Sequence, residues 1–499
     1  MPHQLHSLSS RYRVKTVLLI LLAIIAVSLT VVARPALHLV RAALHDRDEI
    51  LPLPPGTVDD ASRLNPTRMQ LVQVSSELST AKEQLRTVLK EAKAQGKKVT
   101  MAGSRHTMGG QTIYPDGISL DMTRFKQMQL NTTTQILTVQ SGATWSAIIP
   151  YLNQQGYSVA VMQSNNDFSV GGTMSANAHG WQHDSPPFAS TVESFRLMLA
   201  DGTVVQCSRK ENAELFSLVL GGYGLFGIIL DVNLKVALNE LYSAQRVIIP
   251  SEDYVETYQR RVSADVGMVY GRLSVAPDSF LSEAILTTYH KVTAEPEGAL
   301  TTPSQAGLAR TVFRGSVDSD YGKNLRWQLE KASGGEAGTS VSRNQIMNRP
   351  STLFENHRQT ETDILHEYFI PPESLELFLE KCREIIPKYK LDLLNVTVRN
   401  VELDSDSYLR YADQEMFGLV MLFHQQRRAS DEAEMRSLTQ ELVEAALEVG
   451  GRYYLPYRLH STPEQFHRAY PQATKFFQLK RQYDPDETFQ NYFYTQYGR

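Results

Sequence analysis

Residues 102–110 read AGSRHTMGG, and two further glycine-laced stretches follow in order, VGGTMSANAHG at 170–180 and GGYGLFG at 221–227. Glycine lets a backbone approach a ligand closely and take positive φ, so that successive N–H groups converge on a phosphate as an anion nest. Three such stretches in the first half of the chain point to a large phosphorylated cofactor, and His106 sits at the centre of the first. A classical dinucleotide fold is excluded, because no G-x-G-x-x-G opens a helix inside a βαβ unit with an acid ~20 residues later.

The surrounding residues supply strands and helices for these loops. Residues 97–101, KKVTM, read as a short strand entering the first loop, after a helix at 75–94. Residues 118–122 and 136–139 are further strands, and 145–155 has helical spacing interrupted by Pro150. Phe195, Leu197 and Leu199 alternate with Ser194, Arg196 and Met198 ahead of Asp201-Gly202, the pattern of a strand entering a hairpin. From Ile228 to Val236 the alternation against Asp231, Asn233 and Lys235 predicts one buried sheet face. This first region is an α+β unit. Between 238 and 449, polar loops at 316–320 and 332–338, a strand at 420–424 and helices at 372–386 and 431–449 describe a second.

With 499 residues the chain is too long for one core, and 42% hydrophobic with 21% charged residues is an ordinary globular composition. A net charge of −4 without a basic stripe argues against a nucleic-acid partner. Cys207 and Cys382 lie far apart, which predicts neither a disulfide framework nor a cysteine metal site. His179, His183 and Asp184 also fall short of a metal set.

Residues 16–33, TVLLILLAIIAVSLTVVA, carry no charge and approach the ~20 apolar residues that cross a bilayer. The run exceeds the roughly 7 to 15 residues of a signal-peptide core. Arg34-Pro35 follows it in place of a small-x-small cleavage site. This favours one uncleaved transmembrane helix at 16–36, behind a basic segment at 1–15, over a cleaved signal. Basic residues on both sides leave the orientation of this single-pass anchor open. Residues 37–66, which include LPLPPGTVDD, read as a linker.

The order GSRHTMGG, a strand ending in Asp121-Met122, VQSGATW, VGGTMSANAHG, a strand with ADGTVV, and LGGYGLFGIILDV resembles the FAD-binding PCMH-type domain of the vanillyl-alcohol oxidase superfamily. Within that superfamily the chain is most similar to the aldonolactone and alditol oxidases. The resemblance implies an α+β architecture with an FAD-binding domain in two parts, 67–237 and a returning segment at 450–499. An α+β substrate or cap domain would occupy 238–449. It further implies that Gly103, Ser104, Arg105, His106, Thr107, Met108 and Gly109 wrap the FAD pyrophosphate. His106 matches the histidine to which related enzymes attach the flavin covalently. Gly171, Gly172, Thr173, Ser175, Ala178, His179 and Gly180 would follow the diphosphate and ribityl chain. Gly222, Gly227 and Ile228 would lie near the adenine end, with Asn491 in the closing element. Glu367 and Arg399 are the candidates for substrate binding.

In the sugar-oxidising relatives the closing strand ends in His-Trp-Gly/Ala-Lys, whose lysine lies at the reacting centre. Leu455, Pro456, Tyr457 and Arg458 stand there in this chain. Removing hydride from a carbon bearing OH needs a nearby base, or a cation that stabilises developing charge. Arginine supplies charge but takes no proton near neutrality. A tyrosine with an ordinary pKa of ~10 accepts one only if its surroundings depress that value. The expected catalytic set is therefore Tyr457 or His179 as proton acceptor and Arg458 as fixed charge, with hydride passing to flavin N5. The implied function is FAD-dependent oxidation of a polyol, sugar lactone or related sugar alcohol, similar to the D-arabinono-1,4-lactone oxidases, with oxygen or a quinone as electron acceptor. The alternative is a membrane-tethered flavin-binding protein for electron relay or interaction.

Overall fold

The strand Ile228–Leu238 organises the first unit, because its side chains serve two cores. Ile228 and Leu230 point into a small core with Leu85, Leu89, Val99, Ile118 and Phe489. Ile229, Val232, Leu234 and Val236 point into the main core. The switch of phase coincides with a register shift between Ile229 and Asp231 in the pairing with Val192–Met198. A bulge inserts one residue and flips the following side chains to the other face. The simple alternation expected from the sequence is therefore broken at its start.

Around this strand runs an antiparallel sheet in the order Val204–Ser208, Val192–Met198, Ile228–Leu238, Ile136–Gln140 and Met128–Asn131, with Tyr157–Val159 also paired to the central strand. Beside it lies a three-stranded parallel sheet, Gln70–Gln73, Ile118–Asp121 and Val99–Ala102. The helix Leu78–Gln95 buries Ala81, Leu85, Val88, Leu89 and Ala92 against this sheet and ends at Gly96, whose φ is 65°. The last segment of the chain returns here. The Val99 N–H donates to the Thr488 carbonyl at 2.8 Å, and Val99 bridges in parallel to Phe489.

The second unit is an eight-stranded sheet with antiparallel pairing throughout. Its order is Ser340–Ser342, Leu241–Pro250, Glu283–Val292, Val266–Leu273, Asp392–Val401, Met416–Gln426, Glu361–Ile370 and Arg452–Tyr453. Strand side chains alternate between faces. On Glu361–Ile370, His366 and Tyr368 turn toward the helices Ala429–Glu448 and Leu375–Ile385, meeting Thr439 and Phe378. Asp363, Leu365 and Glu367 turn the other way, into a cavity shared with the first unit. One cross-strand row on that face runs Glu367, Val420, Thr397, Arg272.

The computed structural model describes residues 15–20, 22, 33–46, 50–294, 296, 298–301, 306–334 and 340–499. Among the described residues no helix is long and apolar enough to cross a membrane. Most of the expected span lies outside them. The last three residues of the expected span, from Arg34, belong to the helix Arg34–His45, with Pro35 in its first turn. This helix packs on Ala306–Arg314 of the second unit through an Asp46–Arg310 ion pair at 2.6 Å. The expected linker thus holds a docked helix and a two-stranded ladder, Thr57–Val58 with Thr67–Arg68. Two further expectations change. Trp145–Asn153 is one helix with Pro150 inside it, and Val170–Ala176 of the second glycine stretch is helical.

Candidate active site

The first loop leaves Val99–Ala102 and runs directly against the start of the second. A β-carbon on Gly103 would lie 2.0 Å from the Ser169 Oγ, so only glycine permits this approach. The Ser169 Oγ accepts from the Gly172 N–H at 3.3 Å and holds the second stretch in place. Between these loops and the sheet of the second unit lies a cavity of about 1840 Å³. Its cradle wall includes Gly103, Ser104, Arg105, His106, Thr107, Met108, Gly171, Gly172, Thr173, Ser175, Ala178, His179, Gly227 and Ile228. The opposite wall includes Glu367, Arg399 and Tyr457.

Five expected residues do not line the cavity. Gly109, Gly180 and Gly222 are glycines for packing, since a β-carbon would lie 2.3 Å from the Tyr457 carbonyl oxygen, 1.9 Å from that of Met162 and 2.1 Å from that of Leu218. Asn491 is buried behind the cradle and donates to the Gln111 and Tyr223 carbonyls at 2.9 and 2.8 Å. Arg458 turns away from the cavity. Its guanidinium pairs with Glu432 and donates to the Asn65 Oδ1 and the Met108 carbonyl, each at 3.0 Å. It braces the first loop from outside. His183, taken with His179 in the sequence, lies 2.6 Å from the Val266 carbonyl oxygen.

Chemistry-bearing side chains converge where His179 of the cradle meets the opposite wall. His179 Nε2 lies 2.7 Å from Glu367 Oε1, both side chains being buried. The Tyr457 hydroxyl donates to Glu367 Oε2 at 3.1 Å. Arg399 donates through Nη2 to the Ser164 Oγ at 2.7 Å and through Nη1 to the His179 carbonyl at 3.5 Å. Phe369, Tyr411 and Tyr454 enclose the imidazole at ring-centre distances of 5.3, 5.7 and 5.9 Å. Burial pushes the Glu367 carboxyl up, but His179, Arg399 and Tyr457 outweigh it and hold the group below its ordinary value. It is a carboxylate at neutral pH. Burial and the adjacent Glu367 push the Tyr457 phenol well above its ordinary range, so the hydroxyl stays protonated. In this arrangement the Tyr457 hydroxyl is a hydrogen-bond donor to Glu367.

At the other end, His106 stacks on Phe168 with centroids 4.0 Å apart, and its Nε2 lies 3.5 Å from Asp167 Oδ2. Burial pushes the imidazole below its ordinary value against the pull of Asp167. Asp167, Phe168, Ser141, Gln163 and Ser164 line the cavity without having been singled out from the sequence. The one available signal was the polar run QSNND just before the second glycine stretch.

A family model described as an FAD binding domain matches residues 78–208, and one described as D-arabinono-1,4-lactone oxidase matches residues 321–497. Over these two segments the chain is similar to the aldonolactone oxidase group of PCMH-type flavoproteins. Relatives within reach of this group include mouse L-gulonolactone oxidase, 29% identical over 157 residues, which is 31% of this chain and 36% of the mouse protein. The bovine enzyme of the same name is 27% identical over an equal stretch, again 36% of its length. The match thus spans about a third of these relatives. L-gulono-1,4-lactone dehydrogenase of Mycobacterium tuberculosis is 23% identical over 419 residues, 83% of this chain and 93% of that protein.

FAD is the cofactor of this group, and the cavity fits it on its own terms. Arg105 Nη1, Thr107 Oγ1, Ser141 Oγ, Trp181 Nε1 and Arg399 Nε are buried on cavity-lining residues and have no hydrogen-bond partner among the described residues. Folded proteins leave few such atoms unpaired. Gathered on one cavity, they are the donors and acceptors that a diphosphate, a ribityl chain and a substrate would satisfy.

Proposed function

We propose that the protein is an FAD-dependent oxidoreductase that oxidises a CH–OH group of an aldonolactone, polyol or related sugar alcohol. The observation that carries this reading is the buried His179–Glu367 pair, which joins the glycine cradle to the opposite wall on one cavity. When bound, FAD supplies the hydride acceptor. The residues of the chain handle the proton and the orientation. His179 takes the substrate hydroxyl proton as the carbon gives up hydride, and the Glu367 carboxylate stabilises the imidazolium that forms. Tyr457 donates to Glu367 and fixes it in place. Arg399 supplies the fixed positive charge that the sequence had suggested for Arg458, beside the developing negative charge of the alkoxide.

The cradle residues from Gly103 to Met108 and from Gly171 to Ala178 hold the cofactor, and His106 is its covalent attachment. Its depressed basicity leaves a neutral imidazole, the form able to make that bond. Residues 67–237 with 450–499 act as the cofactor domain and 238–449 as the cap. The apolar run at 16–33 tethers them to a membrane. Dye-coupled oxidation of a panel of aldonolactones and polyols by the flavin-loaded protein tests the reading. Turnover of at least one, lost in His179→Ala, is expected. A flavin-loaded protein that turns over none of them removes it.

A further inference from the structure

The cavity does not end at the polar wall. Its volume of about 1840 Å³ exceeds the roughly 300–1,000 Å³ of a single-ligand pocket. Its lining extends to the helices Ala306–Arg314 and Asp320–Ala332 and there changes chemistry, with Leu308, Phe313, Leu329 and Phe354 joined by Leu51 and Leu53 as an apolar rim. Leu51 is 63% exposed and Leu308 56%. A sugar gains nothing from such a wall, and contiguous exposed apolar surface marks an interaction site.

The adjoining helix shows where this rim faces. On Arg34–His45, Leu37, Val40 and Leu44 recur at helical spacing and are all exposed. The same helix carries Arg34 and Arg41 and no acid, the composition that settles on anionic headgroups. It begins on the residue after the apolar run at 16–33. It is held to the cap by His38, whose Nε2 lies 2.7 Å from the Gly315 carbonyl oxygen, and by the Asp46–Arg310 pair. Its 12 residues span about 18 Å, so the rim lies within about one short helix of the end of that run.

We propose that this rim rests on a bilayer and that the apolar arm admits a lipid-dissolved isoprenoid quinone, which reoxidises the cofactor. The balance closes on the oxidation described above, on which this inference rests. The substrate CH–OH loses two electrons and two protons to become a carbonyl. The quinone gains two electrons and two protons to leave as quinol, and the cofactor returns to its oxidised form. The polar wall with His179, Glu367 and Arg399 accommodates the sugar, and the apolar arm accommodates the acceptor.

The test uses the full-length, flavin-loaded protein in liposomes with a short-tailed azidoquinone. Light should attach it to peptides covering 50–53 and 308–313, and decylquinone should compete. Independently, Leu53→Asp with Phe354→Asp should raise the KM for decylquinone about tenfold, because charge enters an apolar wall. The rate with ferricyanide, a water-soluble acceptor, should not change. Both positions are exposed, so the variant keeps its fold, and Leu308→Asp provides a second version. Labelling elsewhere, equal losses with both acceptors, or oxidation confined to substrates that carry an alkyl chain would each overturn the proposal. Absence of lactone-dependent dye reduction would instead remove the oxidoreductase reading, while the labelling still reports on the arm.

Discussion

Replacing Glu367 by glutamine removes one charge and little else. Both side chains of the His179–Glu367 pair are buried and separated by 2.7 Å, and glutamine keeps the shape and an acceptor for the Tyr457 hydroxyl. At an effective dielectric of ~20, the attraction between an imidazolium and a carboxylate at that separation is about 6 kcal/mol. If the proton is half transferred in the transition state, about 3 kcal/mol of barrier stabilisation is lost, which corresponds to roughly a hundredfold in rate. The loss belongs in kcat, because the charge on His179 arises only as the proton moves. Rapid mixing of the variant with substrate under anaerobic conditions, following flavin absorbance, measures the step directly. Reduction within about threefold of wild type, or a defect confined to KM, would refute the role given to Glu367.

Three further changes follow from the same geometry. His106→Ala should leave FAD bound but extractable: acid precipitation should carry the yellow colour down with wild-type protein and release it from the variant, and colour in both supernatants would exclude the covalent bond. Gly103→Val should yield protein with little flavin, read as the ratio of flavin to protein absorbance, because a β-carbon meets the Ser169 Oγ at 2.0 Å. Burial pushes Glu432 up, but His460 and Arg458 outweigh it and hold the carboxyl at about 2 against an ordinary 4.5. A lowered folded pKa stabilises above the unfolded value and is lost as pH falls from 4.5 toward 2. The shift amounts to about 3 kcal/mol at neutral pH. Denaturant midpoints of wild type and Glu432→Gln should therefore differ at pH 7 and converge as the pH approaches the lower value.

The glycine stretches were legible because a backbone anion cradle demands that residue type, whatever surrounds it. The same property made the signal overreach. Gly109, Gly180 and Gly222 are required by close packing of backbone on backbone, and sequence does not distinguish that from contact with a ligand. Tyr457 and Arg458 lie in a bend beyond the short strand Arg452–Tyr453 rather than in the expected strand, so the choice between them rested on a side-chain direction that only the fold supplies. Glu367 and Arg399 were named from local resemblance. Their meeting with His179 depends on a sheet that pairs Glu367 with Val420 and Arg399 with Gly418. The second core behind Ile228 and Leu230 was hidden by a bulge, which leaves no mark in a hydrophobic pattern. The helix Arg34–His45 was obscured by the apolar run before it and the proline-rich run after it.

The most direct measurement mixes the oxidised, flavin-loaded protein anaerobically with an aldonolactone series and records the flavin spectrum, separating the chemical step from the choice of acceptor. Bleaching by at least one lactone is expected, slowed roughly a hundredfold in Glu367→Gln. A flavin that stays oxidised with every lactone and polyol would contradict the oxidoreductase reading.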